Sequence, residues 1–304
     1  MCRRWIWRLC AVLEIGLVFR VAALRGIPQD PNWQQTIPAQ TQKYDPLGWN
    51  PPNTDAKIPS LTNSVSCDLS AILDQTSRRA TEFANALEKF TAQESIEYKR
   101  FDRRGDLKET ESGTFDYTFA FEERNGGTAS QEYRAAAEGS RAFAEAGHDV
   151  GQVALALIFH PSLQTDYQMS CEGLDNWRGQ RTWVIRFEQR KDRPSRTFQF
   201  KEEKRTYSAM LKGRAWVSSE NFQILHLEIA LTQLPSGMRL EGGAMSIDYA
   251  AVPVAAGKQT LWLPQRVETY WEFRDYRAML IHSFRKFKVF LVETKAIIQT
   301  PKGN

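Results

Sequence analysis

The chain has 304 residues, 42% of them hydrophobic and 25% charged, enough for one sizeable core. Its 40 Lys and Arg stand against 36 Asp and Glu for a formal net charge of +4, with both signs interspersed, as in Lys99-Arg100-Phe101-Asp102-Arg103-Arg104 and Lys201-Glu202-Glu203-Lys204-Arg205. That mixture argues against a nucleic-acid-binding chain, which needs clustered cations with stacking or groove-reading residues among them.

Arg3 and Arg4 open the chain, Leu9 to Phe19 is apolar apart from Glu14, and Val21-Ala22-Ala23 offers small residues for cleavage, so residues 1–23 read as an export signal. Arg8, Glu14 and Arg20 weaken the pattern. A misplaced start and a segment without a targeting role are the competing readings. The apolar run is shorter than the ~20 residues of a membrane span, so no transmembrane span is expected. Cys10 follows Leu9 and not a small residue, which argues against a lipid anchor. The expected location is exported, in the periplasm or cell envelope.

Without residues 1–23 the chain keeps Cys67 and Cys171, with no C-x-x-C and no neighbouring His to suggest a metal. A disulfide is the economical reading, and two unrelated buried thiols the alternative. Closing a loop of about a hundred residues corresponds to at most ~4–5 kcal/mol of unfolded-chain entropy.

Residues 24–63 carry more than half of the 13 prolines, and Gln34, Gln35, Gln40 and Gln42 with little apolar content, which predicts a flexible tether. Trp33, Tyr44 and Trp49 leave the alternative of an arm laid in a groove. From Asp68 to Phe90 the residues Leu69, Ile72, Leu73, Thr76, Ala80, Phe83, Leu87 and Phe90 recur at three- and four-residue steps, predicting one long helix with a single apolar stripe. Its partner is expected to be a sheet face.

Period-two alternation then takes over. Ser95–Phe101 and Thr114–Phe121 read as strands, the second carrying an aromatic ladder, Phe115, Tyr117, Phe119 and Phe121, which is either core or ligand wall. Arg104-Gly105-Asp106 between them is read as an ordinary turn. Asn125-Gly126-Gly127 predicts a hairpin, Gln152–Phe159 a short helix ended by His160-Pro161, and Thr165–Cys171, Thr182–Gln189 and Arg196–Lys201 further strands. Trp183, Ile185 and Phe187 share one face of the middle one. The clearest hairpin runs Leu211–Val217, turn Ser218–Asn221, then Phe222–Ile229, with Leu225, Leu227 and Ile229 on one face and Phe222, Ile224 and His226 on the other. Met245–Ala250, Gln259–Leu263, Arg266–Phe273, Met279–Phe284 and Phe287–Ile298 follow, with turns expected at Pro235-Ser236-Gly237, Gly242-Gly243 and Ala256-Gly257. Some ten or eleven strands after one helix suggest a strongly curved antiparallel sheet or incomplete barrel wrapped on the helix.

No nucleophile elbow, zinc-protease, phosphate-loop or dinucleotide motif is present. His148, His160, His226 and His282 stand far apart, and a lone strand histidine such as His226 reads as surface or hydrogen-bonded core. Glu228 and Glu268 are acids on strands with nothing to single them out as a pair.

The segment Leu211 to Glu228, with Asp175-Asn176-Trp177-Arg178-Gly179, Leu261-Trp262-Leu263-Pro264-Gln265 and His282-Ser283-Phe284, resembles the LolA/LolB-like lipoprotein-localisation superfamily, by way of a group of uncharacterised exported bacterial proteins. The resemblance covers about residues 64–300 and is carried by architectural motifs, with no functional residue transferred. It implies an α+β domain, a half-open β-barrel closed by one long helix, with an apolar cavity for acyl chains or a lipidated partner. The expected function is therefore a non-enzymatic exported binding protein without cofactor. Candidate cavity residues are Phe115, Tyr117, Phe119, Phe121, Trp183, Ile185, Phe187, Trp216, Leu225 and Leu227. An extracytoplasmic structural or protein-interaction domain with a fully packed interior is the alternative.

Overall fold

The apolar stripe of the long helix selects its packing face. In the computed structural model, which describes residues 48–59, 61–62, 65–87, 90–124, 127–140, 151–193, 195–202, 205–234, 238–254 and 259–289, helix α1 spans Leu69–Leu87. Ile72, Thr76, Ala80 and Phe83 are buried along one side, and the Asp68 carboxylate caps the N-terminus by accepting the Ala71 amide at 3.0 Å. The expected end at Phe90 is corrected: Phe90 opens a strand. There Phe90, Ala92, Glu94, Ile96 and Tyr98 alternate with half-exposed residues, and pairing on both sides of the strand fixes the two-residue period.

Twelve strands are described: β1 Phe90–Asp102, β2 Leu107–Arg124, β3 Gly127–Ala136, β4 Tyr167–Trp177, β5 Gln180–Gln189, β6 Gln199–Glu202, β7 Arg205–Ser208, β8 Met210–Ser218, β9 Ile224–Gln233, β10 Leu240–Val254, β11 Gln259–Phe273 and β12 Tyr276–Val289. Ten of them form one antiparallel sheet in the order β3-β2-β1-β12-β11-β10-β9-β8-β5-β4, and β6 pairs with β7 apart from it. The large sheet is not closed: β3 and β4 are its edges. Between those edges the chain makes an eight-residue 3₁₀ helix, Gln152–Phe159, and a single helical turn, α2, Pro161–Gln164.

Bulges account for most departures from the expected strands. Gln259–Leu263 and Arg266–Phe273 are one strand, because Tyr249 pairs with Pro264 and Asp248 with Arg266, so Gln265 is the extra residue and Pro264 sits where the ladder is already interrupted. Met279–Phe284 and the first residues of the strand expected at Phe287–Ile298 likewise belong to one strand, β12, with a register shift opposite Thr91 and Gln93 and Lys286 at φ 53. The turn expected at Gly242-Gly243 lies inside β10, where a side chain on Gly243 would collide with the Trp271 ring. In the β8–β9 hairpin Phe222 belongs to the turn, at φ 59, and the register steps from Trp216–His226 to Val217–Ile224. Leu225 is left over. Ile224 therefore joins Leu227 and Ile229 in the main core, while Leu225 is buried outside that cluster, the reverse of the expected pairing of faces. Arg104-Gly105-Asp106 is a turn, with Gly105 at φ 95 and the Asp102 amide donating to Asp106 O. The hairpin tip 125–126, the turns expected at 235–237 and 256–257, and residues 1–47 and 290–304 lie outside the described residues.

The main core is the sheet's inner face under α1 and the 3₁₀ helix, where Phe83 meets Tyr249 and Phe159 meets Phe187 edge to face. The outer face holds a smaller cluster, Phe101, Ala244, Tyr270, Met279 and Ile281, covered by Trp49. From Trp49 the chain crosses that face: Asp55 pairs with Arg186 and Lys212, and Thr62 bridges Leu174 at the β4 edge. Over residues 48–59 and 61–62 the chain is an arm laid on the sheet, the alternative to the flexible tether that composition favours. Composition reports low apolar content, and one tryptophan and one aspartate in register with the sheet suffice to pin it.

Candidate functional site

The inner face carries a buried charged cluster where the aromatic ladder of β2 meets β3. Register sets Tyr117 opposite Arg134 and Phe119 opposite Glu132, so the ladder and these two charges lie side by side. Glu94 projects from the apolar phase of β1 and is wholly buried. It accepts from Arg134 Nε at 2.6 Å and bonds His282 Nδ1 at 2.8 Å, while Arg134 also pairs with Glu132 at 2.9 Å and lies over the Tyr117 ring. Glu132 in turn accepts the backbone amide of Gly151, the residue before the 3₁₀ helix, at 2.8 Å.

Two carboxylates sharing one guanidinium do not titrate alike. Burial opposes the Glu94 charge, but His282 and Arg134 outweigh it and hold this carboxyl below its ordinary range. Burial dominates at Glu132 and lifts its carboxyl above the ordinary range despite Arg134 and the Gly151 amide. Tyr117 is pushed well up by burial, and its hydroxyl faces Glu132 without completing a hydrogen bond. The Tyr249 hydroxyl, beneath the helical layer near Ala156, is in the same condition.

The helical layer is fastened mainly on the other side of the sheet. The disulfide Cys67–Cys171 ties the approach to α1 to β4, and Arg79 donates to Asn221 O in the β8–β9 turn at 3.0 Å. Ser77 Oγ donates to Phe159 O at 3.0 Å and joins α1 to the C-terminal end of the 3₁₀ helix.

The expected cavity residues divide by face. Tyr117, Phe119, Ile185, Phe187 and Leu227 are buried together in the main core, with Trp183 partly buried against it. Phe115 belongs to a neighbouring inner-face cluster with Ile96, Tyr98, Ala278 and Leu280. Trp216 and Leu225 are buried outside both clusters, Trp216 because it projects from β8 to the outer face. The Phe121 side chain is outside the described set. Between α1 and the sheet a cavity beside Phe83, Ala156 and Tyr249 measures ≈10 Å³. An open groove of ≈640 Å³ lies on the outer face, floored by Ser95, Ser112, Thr114 and Ser283 with Glu97 and Arg266 at its sides.

Trp216 takes part in a second polar group. The Trp177 ring stacks on His226 with centroids 3.9 Å apart, His226 Nδ1 bonds Asp248 at 2.7 Å, Arg178 pairs with the same carboxylate at 2.8 Å, and Trp216 Nε1 donates to Asp175. His226 is thus a hydrogen-bonded core histidine, as its strand position predicts. Glu228 and Glu268 flank β10 in separate ion pairs, Glu228 with His226 and Glu268 with Arg266. The cluster of Glu94, Glu132, Arg134 and His282 escaped the sequence reading, although a glutamate in phase with Phe90, Ala92, Ile96 and Tyr98 is the signal that marks it. Among the described residues no group of three or more His, Cys, Asp or Glu is placed to hold a metal ion, and no helix is long and apolar enough to cross a membrane.

No family model matches the chain, and no curated protein matches it. Among solved structures it is similar to a DUF1329 family protein from Desulfovibrio piger ATCC 29098, at 10% identity over 77% of this chain and 98% of that one, with a TM-score of 0.41. It is also similar to a protein domain named for outer membrane lipoprotein sorting, from Vibrio parahaemolyticus, at 9% identity over 74% of this chain and 95% of that one, with a TM-score of 0.35. Likenesses of this size assign no function.

Proposed function

We propose that this is an exported, non-enzymatic binding protein that shelters an apolar ligand, a lipid or a lipoprotein acyl chain, between the inner face of a half-barrel sheet and its helical cover. The observation that carries the reading is the inner face itself. Its aromatic and aliphatic surface extends from β2 to β5 and is covered by α1 and a 3₁₀ helix. A sheet face of that breadth needs apolar cover, and side chains of a short irregular helix can be exchanged for an acyl chain at little cost in regular hydrogen bonding. The cavity beside Phe83, Ala156 and Tyr249, at ≈10 Å³, holds no more than one water, so in this reading ligand takes the place of the cover.

The same filled interior, with the ≈640 Å³ outer groove, favours a second reading: an extracytoplasmic interaction domain whose partner binds outside. Native mass spectrometry of residues 24–304, made in an oxidising compartment and purified without detergent, separates the two. A co-purifying lipid, or uptake of added parinaric acid, supports the carrier. A ligand-free mass that persists in excess lipid leaves the interaction domain.

A further inference from the structure

We propose that the Tyr117 hydroxyl is a polar contact of the ligand site, and that the lipid it meets carries a neutral oxygen acceptor, such as an ester carbonyl, and not a free carboxylate. This rests on the carrier reading and names the chemistry that its interior selects. Tyr117 is fully buried in the main core, with its ring against Phe90 and Phe284. Phenylalanine would keep both ring contacts and leave no polar atom behind. The packing therefore accounts for the ring but not for the hydroxyl, which costs stability when it is buried without a partner.

The polar groups around it are already engaged. Glu132 Oε1 accepts the Gly151 amide and Oε2 accepts Arg134, Arg134 also binds both oxygens of Glu94, and Glu94 Oε1 bonds His282. Tyr117 lies close enough to Glu132 for that carboxylate to oppose its ionisation, yet its hydroxyl completes no hydrogen bond among the described residues. Burial, Glu132 and Glu94 all keep the proton on the phenol. It is a donor in want of an acceptor.

Its place in the fold puts it in the path of a ligand. Tyr117 pairs with Arg134, and the next residue on the same face of β3, Glu132, receives the amide that precedes the 3₁₀ helix. The hydroxyl thus stands where the cover meets the sheet, and a lipid lying on the inner face passes it. Charge then chooses the acceptor. Glu94 and Glu132 already share one guanidinium, so a ligand carboxylate would add a third acid to a desolvated site, whereas a carbonyl adds no charge. Tyr249 also has an unbonded hydroxyl, but it lines the ≈10 Å³ cavity, which has room for one water to serve it, so it is not assigned.

Fluorescence titration of the full chain at about pH 8, where a free fatty acid is ionised, tests this with parinaric acid, its methyl ester and diphenylhexatriene, which has no oxygen. Wild type is expected to bind the ester more tightly than the acid. Tyr117→Phe is expected to weaken the ester about fivefold or more, to leave diphenylhexatriene unchanged, and to unfold without ligand at the same or a higher denaturant concentration. Affinity and stability then move apart, which a hydroxyl with a purely structural role does not produce. Unchanged ester affinity, an equal loss for diphenylhexatriene, or a lower unfolding midpoint overturns the contact, and a wild type that binds the acid as tightly as the ester overturns the choice of a neutral acceptor. Wild type that binds diphenylhexatriene keeps the carrier reading in either case. Wild type that binds none of the three probes overturns that reading and this inference with it.

Discussion

Gly213 sits where two strands and a ring come too close for a side chain. A Cβ there would collide with the Glu228 carbonyl oxygen and the Phe187 ring, and backbone cannot give way as a flexible side-chain tip can. Gly213→Ala is therefore expected to destabilise by about 1–3 kcal/mol, read as a lower denaturant midpoint. Sequence shows a glycine in a strand but not the ring across it. The charge of His226 depends on its neighbours. Burial opposes its protonation, but Asp248 and Glu228 outweigh burial and raise it above its ordinary 6.5. A raised histidine contributes stability that is complete below its unfolded value and is lost as pH rises through the folded one. The stability gap between wild type and His226→Gln should thus be widest near pH 5–6 and narrow above about 6.5. A gap that is flat across unfolding curves from pH 5 to 9 would mean that folding leaves the proton affinity of the ring unchanged.

At the scale of elements, patterning located the helix and most strands, while bulges and edges stayed hidden. Pro264 and Lys286 look like strand ends in the sequence because each breaks the local ladder, yet the partner strand continues past both and the sheet closes over them. The choice between tether and arm stayed open in the sequence for a related reason. Its prolines exclude helix, but Trp49, Thr54 and Asp55 meet receptors that only the assembled outer face creates. Trp49→Ala is expected to cost about 1–3 kcal/mol, because the ring is only half-buried, and to expose the Phe101 cluster to quenchers of intrinsic fluorescence. The cysteine pair, by contrast, was legible from counting alone. Replacing both cysteines by serine should lower stability by about 2–5 kcal/mol, measured by denaturant unfolding, since the bond spans 104 residues.

For the molecule as a whole, the inner wall was legible as chemistry but not as space. Tyr117, Phe119, Ile185, Phe187 and Leu227 do converge, as alternation on separate strands predicts, but what fills the volume before them is a 3₁₀ helix whose own sequence, Gln152 to Phe159, is simply apolar. Periodicity identifies faces. It says nothing of whether the space between two faces is occupied, which depends on the separation of layers set by the sheet. That occupancy has a kinetic consequence. If the interior is filled until the cover moves, uptake has a unimolecular opening step before ligand can enter. In stopped-flow mixing with parinaric acid the observed rate should rise with ligand concentration and then level off at the opening rate. A rate that keeps rising linearly toward ordinary association constants of about 10⁵–10⁷ M⁻¹s⁻¹ would instead mean a site already open in the free protein. Equilibrium stabilisation provides the matching control: ligand at about 100 times Kd should add about 2.7 kcal/mol to unfolding whichever route it takes in. A plateau together with that stabilisation is the combination that an occluded carrier requires and that a surface-binding domain, with no barrier between solvent and its groove, does not produce.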